Sequence, residues 1–169
     1  VWKRDKPTMI LHTNGGPIDG QKYPYNWCRD IPGELAQAIV NKFHKTYHIF
    51  QVCRKDSVVL ENVERVDQPL SNLELFSMLA SSEKRVLIDS CLQHAAVSFN
   101  LPSTVLWVGT SPNVFGYKLH KNVVAKVPNK KNQLIGSYLF DYQFENNIHE
   151  CPYISMNEMF DVNQVLNSI

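Results

Sequence analysis

Nothing in the sequence is built to cross a bilayer: no apolar run is long enough, and the start lacks the charged, apolar and small-residue series of a secretory signal. A cytoplasmic chain is expected, at most peripheral to the inner face of a membrane. Cysteine is scarce and scattered. Cys28, Cys53, Cys91 and Cys151 make no C-x-x-C pair and stand at no zinc-finger spacing from a histidine. No metal site is signalled, and small buried thiols in a reducing compartment are expected. A charge of one sign is missing too, because Lys and Arg number 17 against 16 Asp and Glu, for a net charge of +1. That balance leaves no electrostatic footprint for nucleic acid, so any anion site has to be local. There is no internal repeat and no low-complexity segment. An initiator Met is absent, and the chain is expected to be a piece of a longer protein.

What is present suits one globular domain. A chain of 169 residues, 44% hydrophobic and 20% charged, can bury a sizeable core. Residues 1–7 are charged and without period, which reads as a lead-in or linker, and residues 8–169 read as the domain. Met9 to Thr13 is a first strand, stopped by Asn14-Gly15-Gly16-Pro17. Ile18 to Arg29 is a long loop dense in aromatics, and long loops at strand ends are commonly functional. Asp30 is placed to cap a helix with Pro32 in its first turn and Leu35, Ala36, Ile39, Val40 and Phe43 on its core face. His48 to Cys53 is a second strand and Val63 to Val66 a short third. Ser71 with Glu74 forms a capping box, and Leu70 with Leu75 a hydrophobic staple, at the next helix start.

The most informative stretch runs from Lys84 to Tyr117. Arg85 to Ile88 is a short apolar strand ending at Asp89. Ser90 stands where a helix N-cap belongs, with Gln93 three residues on to complete a capping box. Leu92, Ala95, Ala96 and Phe99 form one apolar stripe, stopped by Asn100 and Pro102, and Thr104 to Val108 is another strand. Strand, helix and strand within so few residues make a right-handed parallel βαβ unit. Its helix N-terminus lies at the carboxyl edge of the sheet, where a phosphate is the natural guest. A last strand follows over Asn122 to Val127. Leu134 to Pro152, with alternating aromatics, reads as an edge strand or a segment packed across the domain. Ser155 with Glu158 forms another capping box, stapled by Ile154 and Met159, for a closing helix whose face is Met159, Val162, Leu166 and Ile169. The alternation predicts an α/β fold: a doubly wound, mostly parallel, Rossmann-like sheet of about six strands with helices on both faces. In the usual strand order the first and fourth strands are neighbours, which sets the loop after Thr13 opposite the turn at Asp89.

Asp89-Ser90-Cys91-Leu92-Gln93-His94-Ala95-Ala96, followed by Gly109-Thr110-Ser111-Pro112 and Gly116-Tyr117, resembles the nucleotide-sugar half of glycosyltransferase family nine, the ADP-heptose:lipopolysaccharide heptosyltransferases. Cys91 takes the place of that motif's glycine. The family's lysine two positions before a tryptophan has no counterpart here, since Tyr25 stands two before Trp27. The resemblance implies the C-terminal donor-binding domain of a two-domain, GT-B-type enzyme. It implies a nucleotide-diphosphate-sugar donor, no metal or other cofactor, and an acceptor glycan or lipid-linked saccharide held by an N-terminal domain outside this chain. The general base belongs to that other half, so the isolated chain is expected to be inactive.

The candidate donor-binding residues are Thr13, Asn14, Gly15, Arg29, Asp89, Ser90, Cys91, Leu92, His94 and Ser111. Ser90, Cys91 and Leu92 offer backbone N–H groups, and the Ser90 hydroxyl either meets an anion or only caps the helix. Asp89 fixes the turn by accepting loop N–H groups. His94 either reaches back toward phosphate or packs. Gly16 accompanies Gly15, and Arg29 and Lys22 are the cations within reach. Thr110, Ser111 and Gly116 lie beside the crevice, and Trp27 could stack on a ligand. The rival reading is a non-catalytic α/β module that binds a nucleotide or a protein partner.

Overall fold

The computed structural model describes residues 2–16, 28–126 and 155–169. Their order is β1 (Thr8–His12), α1 (Gly33–Phe43), β2 (His48–Val52), β3 (Glu64–Val66), α2 (Asn72–Ser81), β4 (Lys84–Ile88), α3 (Cys91–Ser98), β5 (Thr104–Trp107), α4 (Pro112–Phe115), β6 (Lys121–Val124), a single 3-10 turn (Met156–Glu158) and α5 (Val162–Ser168). The strands form one sheet in the order β3-β2-β1-β4-β5-β6, parallel throughout. In register, Thr8 faces His48 of β2, and Met9 faces Lys84 of β4. The expected Rossmann-like α/β architecture is observed.

Because side chains alternate across a strand, the four central strands β1, β2, β4 and β5 feed both cores. Met9, Leu11, Ile49, Val86 and Ile88 pack with Leu35, Ala36, Ile39 and Val40 of α1 and Val165 of α5. Ile10, Phe50, Leu87, Val105 and Trp107 pack on the other face with Met78 and Leu79 of α2 and Leu92 and Ala96 of α3. Each large aliphatic side chain taken fully out of water contributes about 1.5–3 kcal/mol, so the helices are held chiefly by these two clusters. The lead-in is tied down from residue 2: the Trp2 ring lies 5.2 Å from that of Phe50, edge to face, and Arg4 Nη2 pairs with Glu64 Oε1 at 2.8 Å.

The capping box of α2 is present in both halves, with Ser71 Oγ accepting from the Glu74 N–H and the Glu74 carboxylate accepting from the Ser71 N–H. Four local expectations are corrected. Asp30 does not cap α1. The N-cap is Pro32, without a side-chain hydrogen bond, because the Asp30 carboxylate is taken up by Arg54, Asn14 and Gly15. The α3 capping box is half formed. Ser90 caps the helix, but the Gln93 side chain is wholly buried and gives its Nε2 to the Phe115 carbonyl. The α3 stripe is correspondingly rotated: Leu92, Gln93 and Ala96 are buried, whereas Phe99 is 46% exposed and meets Phe76 edge to face. The closing helix starts later than expected. Ser155 opens only the 3-10 turn, and Asp161 caps α5 by accepting from the Gln164 N–H.

The stop after α3 is a Schellman motif. Asn100 takes a positive φ of 54°, its N–H reaches the Val97 carbonyl, and the Leu101 N–H reaches that of Ala96. The turn after β5 folds into a one-turn helix, α4, which the run of small polar residues did not announce. The expected segment from Leu134 to Pro152, and the Ile154 staple, lie outside the described residues.

Candidate functional site

The chain leaves β1 for α1 on one face of the sheet and leaves β4 for α3 on the other. Neighbouring strands whose connections part in this way open a crevice at their carboxyl ends, the switch point where open α/β sheets take ligands. Two hollows lie instead where strands begin. One, of about 250 Å³, is lined by Lys84, Arg85 and Lys121, and one, of about 560 Å³, by Arg4, His44, Tyr47 and Glu64. Strand topology and helix dipoles favour the crevice over both.

One wall is the turn from β4 into α3. Ser90 is extended, with φ −161° and ψ 175°, and its Oγ accepts from the Leu92 N–H at 3.3 Å. The Gln93 N–H goes to the Ser90 carbonyl. Leu92 therefore brings a spent amide and a side chain sunk in the core. Among the described residues, the Ser90 and Cys91 amides donate to nothing, and the half-buried Asp89 carboxylate accepts from no loop N–H, contrary to the expectation for it. Cys91 is exposed as a free thiol.

The Ser90 hydroxyl reaches across to β1, with Oγ 3.1 Å from His12 Nδ1. Burial drives the His12 pKa down from 6.5 to about 4, against the opposing influence of the Asn14 backbone and the Asp30 charge. The ring is neutral at pH 7.

The other wall, the turn after β1, is closed on itself. Thr13 Oγ1 donates to Asn14 Oδ1 at 2.8 Å and accepts from Gln51 Nε2 at 3.3 Å, so its hydroxyl faces β2 and not α3. Asn14 Nδ2 and the Gly15 N–H both donate to the Asp30 carboxylate, at 3.1 and 2.8 Å. Arg54 grips the same carboxylate with both terminal nitrogens, at 3.1 and 2.7 Å, which raises the Arg54 pKa. Arg29 lies against Gly15, where an added β-carbon would sit 3.1 Å from Arg29 Nε. This contact brings a cation to the rim.

Beside β4, the end of β5 closes on the segment before α1. The Gly109 N–H donates to the Cys28 carbonyl at 2.6 Å, and a β-carbon on Gly109 would come within 2.6 Å of Cys28 Cα, so only glycine fits. Thr110 is buried with its hydroxyl unpartnered among the described residues, and Ser111 caps α4 by accepting from the Asn113 N–H. Gly116 abuts the Pro112 carbonyl. His94 leans away from the α3 N-terminus: its Nδ1 is 2.8 Å from the Tyr117 hydroxyl and the two rings meet edge to face. Next to them, His120 Nε2 contacts the Gln93 carbonyl, and burial lowers the His120 pKa. Lys22 and Trp27 lie outside the described residues.

Sequence reasoning missed His12, Arg54 and Gln93. His12 read as one letter of a strand, and Arg54 lies 24 positions from Asp30. Among the described residues, no group of three or more His, Cys, Asp or Glu side chains is placed to hold a metal, and no helix is long and apolar enough to cross a membrane.

No protein-family profile and no curated protein sequence matches the chain. Solved structures do. A glycosyl transferase family 9 protein from Veillonella parvula aligns with a TM-score of 0.55 and 16% identity over 98% of this chain and 46% of its own. The ADP-heptose lps heptosyltransferase II of E. coli aligns with a TM-score of 0.56 and 14% identity over 97% of this chain and 48% of its own. The chain therefore has the fold of one domain of these proteins and spans about half their length.

Proposed function

We propose that this chain is the donor-binding half of a two-domain, GT-B-type glycosyltransferase, holding a nucleotide-diphosphate sugar at the switch point by its diphosphate. The reading rests on one observation above the rest: the Ser90-capped N-terminus of α3 stands at the carboxyl edge directly beside β1, with the amides of Ser90 and Cys91 unspent among the described residues. Amides at a helix N-terminus, with the Arg29 cation at the rim, suit the charge that grows on a departing diphosphate. No metal is needed for that. The acceptor, a glycan or lipid-linked saccharide on the cytoplasmic side, would be held by a domain outside this chain. His12 is too weak a base, and His94 is engaged with Tyr117, so the general base is assigned to that other domain.

Calorimetry with ADP, UDP and GDP tests the reading. At least one should bind, and Ser90→Pro or Ser90→Glu should weaken it by about tenfold or more, proline by removing an N–H and distorting the turn, glutamate by like charge. Binding that is absent, or indifferent to both substitutions, would overturn the assignment. A labelled-donor assay on this chain alone should show no transfer to any acceptor, because only one wall of the catalytic cleft is present. The rival, a module that binds a partner and catalyses nothing, draws on the exposed Cys91 side chain where the family motif has glycine, and on the Asp89 carboxylate beside it, which has no partner among the described residues. Absence of nucleotide binding would favour it.

A further inference from the structure

Ser90 and His12 meet across 78 positions of sequence and join the two walls of the crevice. We infer that His12 is a positioning residue that takes the Ser90 hydroxyl proton, leaving Ser90 no donor for the crevice, so that an anion there is held by the backbone amides of Ser90 and Cys91. The inference rests on the nucleotide-binding reading and deepens it.

A serine hydroxyl has one proton to give and two lone pairs. One lone pair of Ser90 Oγ already accepts the Leu92 N–H. The partner at 3.1 Å is Nδ1 of a ring only 8% exposed and neutral at pH 7. A neutral imidazole carries one N–H, and its ordinary tautomer places that on Nε2, which makes Nδ1 an acceptor. The hydroxyl proton must then lie between Oγ and Nδ1. What Oγ still presents is a lone pair, which repels a phosphate oxygen. The charged groups acting on the ring come from the segment leading into α1: Asp30, which favours the imidazolium, and Arg29, which opposes it. With the two opposed, burial decides, and the hydroxyl stays committed. The amides of Ser90 and Cys91, unspent among the described residues, are the donors left.

The test is an ADP titration of the native chain, Ser90→Ala, His12→Leu and the double variant, together with nitrogen-15 NMR of the His12 ring in the native chain without nucleotide. In the native background Ser90→Ala should cost about threefold in affinity, through a loosened cap. With leucine at position 12 the freed hydroxyl can turn to the ligand, and Ser90→Ala should then cost about thirtyfold, so the two changes do not add. The ring should show the proton on Nε2. An equal or smaller loss in the His12→Leu background, or a proton on Nδ1, would overturn the inference while leaving the nucleotide site standing. If the native chain binds no ADP, the nucleotide reading falls, and the ring tautomer alone still decides what Ser90 does with its proton. The same NMR measurement decides it if His12→Leu does not fold.

Discussion

The two turns that face each other across the crevice are made in opposite ways. After β1, the side chains of Thr13, Asn14, Asp30 and Arg54 and the Gly15 amide are paired with one another. After β4, by contrast, the Asp89 carboxylate and two backbone amides find no partner among the described residues. A turn whose polar groups are mutually satisfied is a framework. One that leaves polar groups open to water at a helix N-terminus keeps them available to a ligand. On the proposed reading, the first turn supports and the second recognises. The difference moves the weight of the candidate list away from Thr13 and toward Ser90 and Cys91.

Removing the framework should have the largest effect. Arg54→Met leaves the Asp30 carboxylate buried without its cation, and breaking such a pair from one side costs about 3–5 kcal/mol. Chemical denaturation should register a loss of at least about 3 kcal/mol, with a melting temperature lower by about 6–12 °C. A loss below about 1 kcal/mol would mean that the turn is held by something other than this pair.

Acid should act next, through the bond that joins the turns. Folded His12 stays neutral down to about pH 4, whereas in the unfolded chain it takes a proton near 6.5. Between those values the unfolded state binds more protons, so stability falls as the pH drops from about 6.5 toward 4, by up to about 3 kcal/mol. His120, also lowered by burial, adds to the same slope. Denaturation at pH 7 and pH 5 should show the loss, and His12→Gln should remove most of it. An unchanged slope in that variant would place the acid sensitivity elsewhere.

The smallest effect is expected on the other side. Asp89→Asn deletes a charge that has no partner among the described residues, so stability should move by less than about 0.5 kcal/mol. Anion affinity at the turn should rise, since a like charge has gone. A clear destabilisation would show that Asp89 fixes its turn after all.

The same contrast separates what the sequence made legible from what it did not. The strands, the neighbouring of the first and fourth, and the Ser90 cap were readable from apolar runs of strand length, a capping serine, and the usual order of a doubly wound sheet. The Ser71 capping box was readable in the same way. Asp30 misled, because its carboxylate had a better offer from Arg54 than from the first turn of α1, and no periodicity reports a partner 24 residues away. Ser90 was singled out but His12 was not, since only the pairing of β1 with β4 brings them together. Gln93 was placed by the capping-box pattern at a helix surface, while its side chain is buried and donates to the Phe115 carbonyl of α4. The polar groups that decide the site are those whose partners are remote in sequence.

An amide-resolved NMR titration of the native chain with ADP puts the division of labour between the two turns to the proof. The Ser90 and Cys91 amides should shift most, with Thr13 to Gly15 moving little because their hydrogen bonds are already made. Shifts concentrated at Thr13 to Gly15, or at Lys84, Arg85 and Lys121 on the opposite edge of the sheet, would contradict the assignment of recognition to the α3 turn.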